Sequence, residues 1–253
     1  MERLDKQLVE QGLASSRTQA QRLIETGRVE INRAGRWQLE KKASIKLSPE
    51  VELRVLPGSE DRYVSRGGLK LQGALEQAGL NPDRMTVLDV GQSTGGFTDC
   101  LLQSGARKVV GVDVGREQLV PALREDPRVA FYEGINARQL PLEELLWQSP
   151  GGFDLVVMDV SFISQTLILP GLPALLRPGG RLLSLVKPQF EVGRDGIGKG
   201  GIVRDAGLYR DVEAKIRSAC ESLGLIVEDY FASPITGGDG NREFFVAAQK
   251  PVN

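Results

Sequence analysis

Leu88-Asp-Val-Gly-Gln-Ser-Thr-Gly-Gly-Phe97 follows an apolar run, Met85–Gly91, that predicts a strand, and its own glycines open a helix. Glycine at 91, 95 and 96 lets the backbone turn sharply and approach a ligand where side chains would prevent it. Asp113 stands 22 residues beyond Gly91, at the end of the next apolar run, where a carboxylate accepts hydrogen bonds from ribose hydroxyls. The spacing G-x-x-x-G-G is not the dinucleotide fingerprint G-x-G-x-x-G, and no P-loop lysine follows it. A nucleoside cofactor is implied, and S-adenosylmethionine fits better than a pyrophosphate or triphosphate ligand.

Outward from this segment, strand-like runs alternate with amphipathic stretches: Lys108–Asp113, Arg128–Tyr132, Phe153–Asp159, Arg181–Lys187, Leu225–Phe231 and Phe244–Ala248. A βα repeat of this kind predicts an α/β, Rossmann-like, mostly parallel seven-stranded sheet. Only the turn-rich segment from Ser233 to Arg242 joins the last two runs, so the final strand is expected to be antiparallel. This domain is read as residues 63–253. It follows a polar, turn-forming linker, Leu56-Pro-Gly-Ser-Glu-Asp-Arg62.

Before the linker, Leu4, Leu8 and Val9 recur at helical spacing, as do Ala20, Leu23 and Ile24 after capping residues at Ser15-Ser16-Arg17-Thr18. Alternation at Val29, Ile31, Ile45, Leu47, Val51, Leu53 and Val55 adds small strands, which makes residues 1–60 a small α+β domain. The first 48 residues carry 10 Lys+Arg against 6 Asp+Glu, leaving 22 against 27 beyond, although the whole chain of 253 residues is close to neutral at −1. Arg3, Lys6, Arg17, Arg22, Arg28 and Arg33 gather around the expected helices and the Gly27 turn as a candidate phosphate-binding face. A solvated surface is the plainer alternative.

Zero histidines exclude Ser-His and Cys-His catalysis and imidazole metal sites, so a proton must move through Lys, Asp, Glu, Tyr or Cys. Cys100 and Cys220 are too few for a disulfide framework or a zinc site and read as core thiols; no metal is expected. No apolar run approaches the roughly 18–20 residues of a membrane span, and Met1–Glu10 is charged where a signal peptide is apolar. A cytoplasmic protein without membrane attachment is expected.

Asp159 and Lys187 end strand-like runs and Glu243 opens the last, antiparallel one, so all three are expected at the sheet edge where doubly wound folds hold their ligands. Lys70, on a helix preceding the first strand, is placed to cover the same crevice. A salt bridge at a strand end is the alternative for each taken singly.

Val64-Ser-Arg-Gly-Gly-Leu-Lys70, Asp89-Val-Gly-Gln-Ser-Thr-Gly-Gly-Phe-Thr-Asp99, Asp159-Val-Ser-Phe-Ile-Ser164, Lys187-Pro-Gln-Phe-Glu191 and Gly240-Asn-Arg-Glu243 together closely resemble the TlyA family. Its members, also called haemolysins, are 2′-O-ribose rRNA methyltransferases related to FtsJ. The resemblance runs nearly end to end. It implies a ribosomal-protein-type RNA-binding domain joined to a methyltransferase domain, with ribosomal RNA or a ribosomal subunit as partner. It also implies a Lys70, Asp159, Lys187 and Glu243 tetrad, cofactor contacts from Gly91, Ser93, Thr94, Gly95, Gly96, Phe97 and Asp113, and Asn136 near the adenine. Arg66, inside the first motif, joins the candidate RNA contacts. Gln92 stands where that resemblance leads one to expect a small residue, and a long side chain there is expected to alter the turn. A noncatalytic ribosome-assembly factor and a membrane-lytic protein are the competing readings. Against lysis, the best apolar stretch, Leu167–Leu176, is short and contains Pro170, Gly171 and Pro173.

A ribose hydroxyl is a poor nucleophile at neutral pH, so its proton must be removed as the oxygen attacks. Lys187 is the candidate base, which requires its pKa to fall from about 10.4 toward ~7–8. Asp159 would orient that amine, with Lys70 as a neighbouring cation and Glu243 positioning Lys70 or the ribose.

Overall fold

The computed structural model describes residues 1–14, 16–58, 62–238 and 240–252. Ser15 of the expected cap and residues 59–61 of the expected linker lie outside them. The chain divides into two compact units, Met1–Arg62 and Tyr63–Asn253.

The first unit runs β1 (Glu2–Arg3), α1 (Leu4–Glu10), α2 (Arg17–Glu25), β2 (Val29–Arg33), β3 (Arg36–Leu39), β4 (Lys46–Leu47) and β5 (Leu53–Val55). Ser16 caps α2 by accepting from the Gln19 N–H at 3.2 Å, and Gly27, with φ +70°, turns the chain into β2. Antiparallel β3-β2-β5 packs its inner face, Val29, Ile31 and Leu53, on Leu4, Leu8, Ala20 and Ile24 of the helices. β3 has no counterpart in the sequence pattern, because the mostly polar Arg36–Leu39 gives no apolar alternation.

The second unit adds α3 (Gly67–Gln77), β6 (Thr86–Val90), α4 (Gly96–Gln103), β7 (Lys108–Asp113), α5 (Pro121–Arg124), β8 (Val129–Glu133), α6 (Leu142–Gln148), β9 (Phe153–Met158), β10 (Leu176–Val186), α7 (Leu208–Ser222), β11 (Ile226–Ala232) and β12 (Phe244–Gln249). One seven-stranded sheet has the order β11-β12-β10-β9-β6-β7-β8, and β12 is antiparallel to both neighbours. β6 is buried along its whole length, as a central parallel strand must be. Its residues alternate between faces: Leu88 and Val90 join a core with Val212, Ile216 and Cys220 of α7, while Val87 packs with Leu71 and Leu75 of α3 and Cys100 and Leu101 of α4. Both cysteines are therefore core thiols, and burial, with Glu221 adding to it, pushes Cys220 up to about 11.

β10 begins at Leu176, ahead of the apolar run at Arg181–Lys187. Leu176 pairs with Phe153, the register shifts, and pairing with β9 resumes at Arg181, so the intervening Arg177-Pro-Gly-Gly180 hides the strand's start.

Candidate active site

Adjacent strands β6 and β9 pair at Val90 and Met158, so Gly91 and Asp159 leave the sheet side by side. Gly91 has φ +85°, and a Cβ there would lie 2.2 Å from the Asp159 carbonyl oxygen. Only glycine permits this approach. Beyond it, the Ser93 N–H donates to Asp113 Oδ2 at 2.7 Å and the Gly115 N–H to Oδ1 at 2.7 Å. Asp113 thus fastens the turn after β6 to the loop after its own strand and retains acceptor capacity on each oxygen.

These loops enclose a cavity of about 490 Å³ containing Gly91, Ser93, Asp113, Asn136 and Asp159, with Ile135 and Ile168 among its apolar walls. Its size suits a nucleoside-sized ligand. The Asn136 side-chain oxygen accepts from the Arg138 N–H at 3.0 Å, which leaves the amide's N–H groups for a ligand. A carboxylate for ribose hydroxyls, an amide for a base edge and a glycine floor fit S-adenosylmethionine.

Four of the expected cofactor residues do not line this cavity. A Cβ on Gly95 would meet Leu123 and Leu119 at 2.3 and 2.7 Å, and one on Gly96 would meet Ser65 Oγ at 2.1 Å, so both glycines serve packing. Phe97 is buried and stacks on Phe245 at 6.4 Å between centroids. Thr94 is exposed, with its carbonyl accepting from the Val120 N–H at 3.3 Å.

The Gln92 side chain points inward and does not line this cavity, and the residue after it, Ser93, has φ +49°. The Gln92 side chain occupies the space over Gly111, where a Cβ would come within 2.0 Å of it, and donates to Thr98 Oγ1 at 2.8 Å. Thr98 in turn donates to Asp89 at 2.7 Å. Burial, with the nearby Asp159 and Asp113 charges adding to it against the Thr98 hydrogen bond, raises the Asp89 carboxyl to about 7.

A second cavity, of about 500 Å³, holds Lys70, Lys187 and Glu243, and Ser161 and Phe162 belong to both cavities. Lys70 Nζ lies 2.5 Å from Glu243 Oε2, and both side chains are buried. Lys187 Nζ lies 2.5 Å from Asp159 Oδ1 and donates to Ser161 Oγ at 2.9 Å. The four expected residues therefore meet as two ion pairs, with Lys187–Asp159 bridging the cavities. Phe162, 90% exposed with φ +64°, stands at their joint and packs on Phe190 at 5.1 Å. A bulky residue at positive φ is strained.

Sequence reasoning missed Ser161 and Glu191, although both lie in quoted motifs. Glu191 is buried and accepts from Ser164 Oγ at 2.6 Å, the Gln165 N–H at 2.8 Å and Lys215 Nζ at 2.8 Å. It ties the loop after β9 to the turn after β10 and to α7. An acid four residues past Lys187 carries no sequence signal for such distant partners.

In the first unit, the candidate phosphate-binding cations are largely engaged. Arg3 and Arg17 pair with Asp5, Lys6 with Glu2 and Glu10, and Arg33 with Glu40 at 3.4 Å, while Arg28 Nε donates to the Leu56 carbonyl at 2.9 Å. Arg22, on α2, also has a polar or electrostatic partner. Arg66 belongs to the second unit, where Nη2 donates to the Thr236 carbonyl at 3.2 Å.

The sheet order, the glycine turn with its strand-end carboxylate and the adjoining lysine-acid cavity define a Rossmann-like methyltransferase. Residues 63–250 match the FtsJ-like methyltransferase family and residues 2–34 the S4 domain. The chain belongs to the TlyA group of the FtsJ-like methyltransferase family. It is 44% identical over 245 residues to the 16S/23S rRNA (cytidine-2′-O)-methyltransferase TlyA of Mycobacterium tuberculosis, covering 96% of this chain and 88% of that one. Hemolysin A of Brachyspira hyodysenteriae is 38% identical over 242 residues, 96% of this chain and 97% of its own. A solved hemolysin candidate from Streptococcus thermophilus superimposes with a TM-score of 0.76 at 42% identity, covering 99% of this chain and 88% of that chain.

Proposed function

We propose that this chain transfers a methyl group from S-adenosylmethionine to a ribose 2′-hydroxyl of ribosomal RNA. The carrying observation is the Lys187–Asp159 pair at the junction of the two cavities, one fit for a nucleoside cofactor and the other lined by cations and acids. Bound S-adenosylmethionine supplies an electrophilic methyl group.

The chain's own residues do the rest. Lys187, held by Asp159 and Ser161, accepts the hydroxyl proton at Nζ once it is neutral. Asp159 fixes the amine's direction. Glu243 holds Lys70 in place. Enclosing oxygen and methyl group side by side contributes the orientation on which such a transfer depends. The first unit contributes contacts to the RNA backbone. Among the described residues, no helix is long and apolar enough to cross a membrane.

Lys187→Ala is expected to abolish tritium transfer to rRNA while calorimetric S-adenosylmethionine affinity stays within about threefold. Turnover near the native rate would remove Lys187 from the mechanism.

A further inference from the structure

Asp5 is a fully buried carboxylate set between two partly exposed arginines. Arg3 grips it with a planar fork, Nε to Oδ1 at 3.0 Å and Nη2 to Oδ2 at 2.9 Å. Arg17 Nη2 reaches Oδ2 at 3.1 Å from α2, and Gln21 Nε2 reaches the same oxygen at 2.8 Å. The two guanidinium side chains remain 42% and 56% exposed, and Nη1 of each lies outside these bonds. One acid fixes two cations, leaving a net positive charge on the three groups and part of each arginine side chain exposed.

We propose that Asp5 is a positioning residue for an RNA phosphate site formed by Arg3 and Arg17. This rests on the reading that the first unit contacts the rRNA backbone. A free arginine loses considerable rotamer entropy when it grips a phosphate; one already held by a buried carboxylate has lost much of it on folding. Because Asp5 is inaccessible, an approaching phosphate meets guanidinium first. Arginine suits this task where lysine does not, since one edge of its fork engages the carboxylate while another remains for the ligand.

Positioning and simple electrostatics predict opposite signs for the same substitution. Asp5→Asn adds one unit of positive charge, which by charge alone tightens RNA binding. On the positioning account it weakens binding instead. The test is filter binding of deproteinised bacterial rRNA to the full chain at several salt concentrations, with melting temperature recorded for each variant. Asp5→Asn is expected to bind at least about fivefold more weakly than the native chain, with a shallower salt slope, while Arg3→Ala and Arg17→Ala each lose about tenfold. Arg17→Lys keeps the charge at an exposed position and is also expected to lose about fivefold, which decides between the two accounts should Asp5→Asn fail to fold. Native or tighter binding by a folded Asp5→Asn, or native binding by Arg17→Lys, would overturn the proposal. If both arginine-to-alanine variants bind normally, the proposal falls together with the assignment of this face to RNA. Weakened alanine variants beside a native-like Asp5→Asn would remove the positioning role alone.

Discussion

Asp89 lies at the centre of the sheet and takes hydrogen bonds only from Thr98, through its hydroxyl to Oδ2 and through its backbone N–H, while Oδ1 has no partner among the described residues. Burial with so little compensation favours the neutral acid, which keeps its proton up to about pH 7 in the folded chain and loses it near 4 when unfolded. Between those limits the folded state binds more protons, so the contribution to stability falls as pH rises through the window and is constant above it. The loss is a few kcal/mol at most, at about 1.36 kcal/mol per pH unit. Asp89→Asn cannot titrate, so native stability relative to this variant is expected to decline from pH 5 to pH 8 in urea unfolding. Parallel profiles would show that Asp89 is already ionised at pH 5. At this scale the sequence was legible where backbone geometry demands one residue, as at Gly91, and where chemistry fixes a strand-end acid, as at Asp113. It was opaque at Gln92, because the room for that side chain comes from Gly111 on the neighbouring strand.

Among the elements, the loop after β9 and the turn after β10 form the site only if they stay in register, and Glu191 holds them. Its three partners come from the first of these loops and from α7. Glu191→Ala leaves the Gln165 N–H without its partner, at a cost of about 1–3 kcal/mol, whereas Lys215, 41% exposed, regains water. The expected outcome is at least a tenfold fall in single-turnover methyl transfer with a smaller loss of S-adenosylmethionine affinity, because Asp113 and Asn136 lie on other loops although Asp159, Ser161 and Ile168 of the loop after β9 also line that cavity. Equal losses in affinity and transfer would reduce Glu191 to a general structural support. The strand pattern itself was largely readable, since the central parallel strands β6, β7 and β9 are short, mostly apolar runs between glycine or polar breaks. The antiparallel insertion of β12 followed from the short connection at 233–242. What escaped was the start of β10 across Pro178-Gly179-Gly180 and the polar strand β3, where neither composition nor period distinguishes strand from loop.

For the whole molecule, charge has to be counted by unit. Met1–Arg62 holds 12 Lys+Arg against 10 Asp+Glu, a net +2, and the remainder holds 20 against 23, a net −3. The +4 obtained by stopping at Ser48 therefore overstates the asymmetry, because Glu50, Glu52, Glu60 and Asp61 oppose Arg54 and Arg62. With so small an excess, net attraction is a weak source of RNA affinity, and binding by this unit depends on where its cations point. Each phosphate neutralised releases counterions, which lowers the slope of log affinity against log salt by about 0.7–0.9. If three to five contacts come from the first unit, deleting residues 1–62 is expected to weaken rRNA binding and flatten that slope by about 2–4.5. The second unit retains its own sheet and both flanking cores, so S-adenosylmethionine binding by the truncated chain is expected to persist and serves as the folding control. Calorimetry beside filter binding between about 50 and 200 mM salt, a range over which phosphate contacts change affinity steeply, separates the two effects. A native salt slope in a truncated chain that still binds cofactor would assign the phosphate contacts to the catalytic unit instead.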